Sequence, residues 1–180
     1  MSARIKYRDV LREMALDRYG YVTTREAIEA GVPAVELPKL AARGGLEHVA
    51  RGIYRVSTVP PTRNDQLAEA ILRAGEGAYL YAESVLSLFD LADLNPRRIK
   101  VAVHRRTRTK LPAFIELTRV HGEPRTTVYD GLNSQYVADA LLSCSGRIEP
   151  PILLIAAQQA RAEGLLLTSE FRHLRRALRS

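Results

Sequence analysis

"GYVTTREAIEAGVPAVELPKLAARGGLEHVARGIYRV", Gly20 to Val56, is the stretch whose periodicity decides the fold. Up to Arg43 its apolar residues recur every three or four positions, as on one face of a helix. From Leu46 they alternate, as in a strand. Thr23 stands before the first helical run with Glu26 three places later. Hydroxyl and carboxylate at that spacing can each satisfy the other residue's backbone amide, a capping box. Val22 and Ala27 fall where a hydrophobic staple packs. The run stops at Gly31, a residue that enters the left-handed turn without a Cβ clash. A second run, from about Pro33 to Arg43, is expected to bury Val35, Leu37, Leu40 and Ala41, with Gly44 or Gly45 ending it. Leu46, Val49, Ile53 and Val56 then read as inward positions of two short strands joined through Ala50-Arg51-Gly52.

Working outward, Val10, Leu11, Met14 and Ala15 share one face of an earlier helix, from about Lys6 to Tyr19, stopped by Gly20. Two short helices around a glycine turn, followed by a two-stranded ribbon, read as a winged helix-turn-helix. The chemistry of the exposed positions points the same way. Arg51 and Arg55 stand near the ribbon tip, beside the third helix's exposed face, and guanidinium stays ionised and bridges phosphate oxygens with paired hydrogen bonds. Lys39 and Arg43 project from the side of the third helix opposite Leu37 and Leu40. Thr23, Thr24 and Arg25 begin the second helix, where unpaired amides favour an anion. The alternative is a protein-interaction or dimerisation module with the same surface as a protein contact.

Composition narrows the classes. The chain has 27 Lys+Arg against 20 Asp+Glu, a net charge of +7, which favours a polyanionic partner. Cys144 is the single cysteine, so no internal disulfide forms, and "LLSCSG" offers it no local base. His48, His104, His121 and His173 are scattered without metal-ligand spacing, so no metal or cofactor is expected. Glu83-Ser84 lacks a glycine elbow, and "AGEGAY" lacks the lysine of a phosphate loop. An enzyme is therefore not expected, and there are no candidate catalytic residues. "MSARIKYRDV" lacks the apolar core of a signal peptide, and "PILLIAA" is too short to span a bilayer. A cytoplasmic protein with no membrane partner is the expectation.

After residue 56 regular patterning breaks at "STVPPTRND", whose Pro60-Pro61 neither continues a helix nor donates to a central sheet. The expected division is a winged helix over residues 1–60 and a second domain over 61–180. In the second part Asn64 or Asp65 can cap a helix. "GAYLYAESVLSLFDL" reads as a strand and a helix, and "RIKVAVH", "FIELTRV" and "TTVYDG" as three strands. Helices return over about Ser134–Cys144, Pro150–Gly164 and Ser169–Arg179. The fold class is thus α+β: an N-terminal winged helix followed by a small mixed α/β domain. Two further basic clusters, Arg105, Arg106, Arg108 and Lys110, and Arg172, Arg175, Arg176 and Arg179, are possible extra anion-facing surface. Charge runs of this kind are also ordinary solvated faces.

The quoted stretch resembles the N-terminal winged-helix domain of AbiEi-type antitoxins. The resemblance rests on Thr23-Thr24, Ala30-Gly31, Leu37 with Leu40, Gly45-Leu46 and Arg51-Gly52-Ile53-Tyr54 in that order. It continues loosely through "GAYLYAESVLSLFDL" and "YDGL". It implies an antitoxin that represses its own operon by binding inverted repeats of operator DNA. It also implies a nucleotidyltransferase-like toxin as partner, without need of a stable complex. Pro33 and Pro38 depart from the family pattern. Pro38 disfavours helical geometry at Leu37, so a third helix that starts near Pro38, or bends there, is expected.

Overall fold

The capping box read at Thr23 is present: Glu26 N donates to Thr23 Oγ1 at 3.2 Å, and Thr23 N donates to Glu26 Oε2 at 2.9 Å. It opens a short helix in a computed structural model that describes residues 6–105 and 110–178. Contacts divide the chain into two compact units, Met1–Arg73 and Ala74–Ser180.

The first unit holds α1 (Tyr7–Leu16), β1 (Tyr21–Thr23), α2 (Thr24–Glu29), α3 (Glu36–Ala42), β2 (Leu46–Ala50), β3 (Ile53–Val56) and α4 (Asp65–Ala74). Leu11, Ala15, Val22, Ala27, Leu37, Leu46 and Val56 meet in one buried cluster, with Leu40 and Ala41 packed against it. The staple pair Val22 and Ala27 lies inside that cluster. Val35 departs from expectation: it is 64% exposed, because it precedes α3 on the outward side of the turn. Pro38 goes with a late start: the helix begins at Glu36 rather than at Pro33, two residues ahead of the proline. Pro38 occupies the first turn of α3, where a backbone N–H has no intrahelical acceptor and its loss costs little.

The ribbon is three-stranded, not two-stranded. β1 pairs antiparallel with β3, giving the order β1-β3-β2. Short β1 carries no periodicity of its own and pairs only because Gly20, at φ +83°, turns the chain back along β3. β2 carries one extra residue between His48 and Ala50, a bulge of the kind that adds local twist.

The first unit runs past Pro60-Pro61 to take in α4. Tyr21 Oη donates to Glu69 at 3.0 Å, Arg73 Nε to Glu69 at 2.6 Å, and Arg73 Nη2 to the Val49 carbonyl at 2.7 Å. α4 is thereby tied to both outer strands of the wing sheet, and Arg73 satisfies the carbonyl that the bulge leaves unpaired. The Tyr21 phenol is held protonated by burial and by its bond to Glu69.

In the second unit β4 (Tyr79–Leu80), β5 (Ile99–Val103), β6 (Ile115–Arg119), β7 (Thr126–Tyr129) and β8 (Leu132–Gln135) form a mixed sheet in the order β6-β5-β4-β8-β7. α5 (Glu83–Leu88), α6 (Val137–Ser143), α7 (Pro150–Ala162) and α8 (Thr168–Ala177) complete it. β8 occupies residues that sequence periodicity gave partly to a helix. Gly131, at φ +76°, closes a hairpin after Tyr129 and delays the helix to Val137. The strands bury Leu80, Val101, Ala102 and Ser134, and α8 buries Phe171, Leu174 and Leu178 as its spacing requires.

Cys144 is fully buried at the end of α6, and burial pushes its thiol up to about 12 from the ordinary 9.0. The thiolate fraction near neutral pH is then lower by roughly a thousandfold. Folded protein should consume a chromogenic disulfide reagent slowly and unfolded protein at once. Rapid stoichiometric reaction in native buffer would contradict this placement.

Candidate nucleic-acid interface

Arg51 and Gly52 form the turn between β2 and β3, with Gly52 at φ +73°. The tip folds onto the start of α2: Thr24 N donates to the Gly52 carbonyl at 2.9 Å. The wing tip is thus joined to the second helix, whereas α3 enters β2 at the ribbon's base, through Gly44-Gly45. Arg51 is exposed and, among the described residues, has no ion-pair partner.

The start of α2 offers less to an anion than its sequence suggests. Thr24 N is taken by Gly52, Glu26 N by Thr23 Oγ1, and the Thr23 hydroxyl itself donates to Glu26 Oε2 at 2.8 Å. Glu26 also pairs with Arg18. Thr23 therefore serves the cap, and what remains outward is the Thr24 side chain and the exposed Arg25. Arg25 Nε reaches Glu29 at 3.1 Å, a pairing so exposed that it competes weakly with any external anion.

On α3, Lys39 Nζ meets Glu36 at 2.8 Å. Arg43, at the helix C-terminus, is exposed and without an ion pair among the described residues. Arg55 lies elsewhere. It is central in the sheet rather than at the tip, where its register opposite Tyr21 and Glu47 places it. Its Nη2 donates to Asp65 Oδ2 and to the Val59 carbonyl, both at 3.1 Å, and only 17% of its side chain is exposed. A guanidinium engaged in that way holds the fold; it does not present itself to a phosphate.

Of the extra basic positions, Arg105, Lys110, Arg172, Arg175 and Arg176 are exposed in the second unit. Arg106, Arg108 and Arg179 lie outside the described residues. The residues that sequence reading missed are Tyr21, Asp65, Glu69 and Arg73, which hold the wing. A long-range pair such as Tyr21 with Glu69 has no local spacing to announce it.

No group of three or more His, Cys, Asp or Glu among the described residues is placed to hold a metal ion. Among the same residues no helix is long and apolar enough to cross a membrane.

Short helices packed on a three-stranded sheet with a cationic turn make up a winged helix, an architecture that DNA-binding regulators use. Residues 9–57 match the family described as "Transcriptional regulator, AbiEi antitoxin". The family is one of regulators, not catalysts. No curated protein matches the chain. Among solved structures, the crystal structure of the RV2827C protein from Mycobacterium tuberculosis aligns over 97% of this chain and 82% of that one. At 16% identity and a TM-score of 0.40, that likeness carries no argument.

Proposed function

We propose that the chain is an operator-binding antitoxin that represses its own operon and counteracts a nucleotidyltransferase-like toxin encoded beside it. The N-terminal unit takes the DNA, as inverted repeats in the major groove. The C-terminal unit supplies toxin antagonism, without need of a stable complex, and the setting is cytoplasmic. The observation that carries the DNA half of this reading is the pair of exposed guanidinium groups without an ion pair among the described residues, Arg51 at the wing tip and Arg43 at the end of α3. Both lie within the stretch that matches the family. Lys39, Arg25 and Thr24 add to that surface. Arg55 contributes by holding the wing.

The test is a salt titration of duplex binding by full-length protein. Each phosphate contact contributes about 0.9 to the slope of log affinity against log salt concentration. The Arg43→Ala, Arg51→Ala double variant is expected to lose about 2 from that slope. Its affinity should fall for all duplexes alike. An unchanged slope in a folded double variant would make the winged surface a protein contact instead.

A further inference from the structure

The outward face around α3 is poor in hydrogen-bonding groups where a groove-reading element needs them. Val35 is 64% exposed, and Ala34 and Pro38 beside it are exposed as well. Val35 gives the fold neither core burial nor a side-chain cap, and valine is among the residues least suited to the position before a helix. The first polar groups on this face, Glu36 and Lys39, are joined to each other at 2.8 Å. Arg43 further along the helix and Arg51 on the wing supply positive charge complementary to a phosphate backbone.

Major-groove edges offer one feature that an aliphatic side chain reads directly, the C5-methyl group of thymine. Guanine at the same place would turn N7 and O6 acceptors toward carbon and lose their water without replacement. Resting on the proposed operator binding, we infer that Val35, with Pro38, is a specificity-determining edge that selects thymine by its methyl group. Arg43 and Arg51 hold the element in the groove but carry no base preference. Burying one methyl-sized group corresponds to about fourfold in affinity.

Full-length protein selects from a randomised duplex pool, and the preferred duplex is remade with each thymine singly replaced by deoxyuridine. That exchange removes the methyl and nothing else. In the wild type, one or two positions should lose about fourfold in affinity. In Val35→Ala, deoxyuridine at those positions should cost nothing, while the salt slope stays as in the wild type. Val35→Ser should behave in the same way. Val35 is a surface position, so both variants fold. Three results overturn the inference while DNA binding stands: every thymine is replaceable without loss, the loss persists in Val35→Ala, or selection enriches cytosine facing Glu36. If no duplex is bound at all, the DNA reading itself fails, and the methyl contact with it.

Discussion

Replacing Arg55 by alanine is expected to destabilise the N-terminal unit by about 3 kcal/mol, the usual scale for breaking a buried ion pair. The pair joins β3 to the start of α4, and its side chains are only 17% and 10% exposed. Asp65 keeps two donors after the substitution, Thr62 N at 2.9 Å and Thr62 Oγ1 at 2.6 Å, which holds the cost to the lower end of that scale. The Val59 carbonyl loses its guanidinium donor at the same time. Urea unfolding of Arg55→Ala, Asp65→Ala and the double variant measures the coupling directly. A coupling below about 0.5 kcal/mol would show that the pair is dispensable. The variant also separates fold from function. At temperatures where it remains folded, its salt slope for duplex binding should match the wild type, whereas Arg51→Ala should lower it.

The second large effect belongs to Glu83 in the C-terminal unit. Its carboxylate is buried, with Oε1 accepting from Lys100 Nζ at 3.0 Å and from Arg147 Nε at 2.9 Å. Glu83→Ala would leave Lys100, itself only 15% exposed, facing Glu116 at 3.9 Å. A cost of about 3 kcal/mol to this unit follows. Burial by itself would raise the Glu83 carboxyl, but the bonds from Arg147, from the backbone and from Lys100 outweigh it and hold it below the ordinary carboxylate range. A depressed carboxyl stabilises the fold above its unfolded value, about 4.3 for glutamate, and that contribution is lost as pH falls through the folded value. Acid unfolding below about pH 5 should therefore be less steep in Glu83→Gln than in the wild type. Identical acid profiles would remove the carboxylate from the stability of this unit.

Local chemistry made much of the N-terminal unit readable. The Thr23–Glu26 box, the glycine stops and the change of period at Leu46 involve residues within a few positions of one another, where spacing alone sets geometry. Pro38 was readable in principle, but its effect depends on which turn of the helix it occupies. One position decides whether the missing N–H matters. β1 and β8 were less legible because each is three or four residues long and is defined by its partner strand. The candidate site was legible as a composition of side chains but not as a set of available ones. Arg51 and Arg55 look alike in "RGIYR", yet one caps a turn in solvent and the other is drawn inward by Asp65.

By itself, then, the sequence of this protein determined where the N-terminal helices are capped and stopped, where the ribbon turns, that the chain is cationic, and which family residues 9–57 match. Tertiary structure alone decided which cations remain free, that α4 braces the wing, and that Val35 faces outward. The reason is one of range. Caps, turns and periodicity arise between neighbours along the chain, whereas the pairing that removes a charge from the surface arises between residues that only folding brings together.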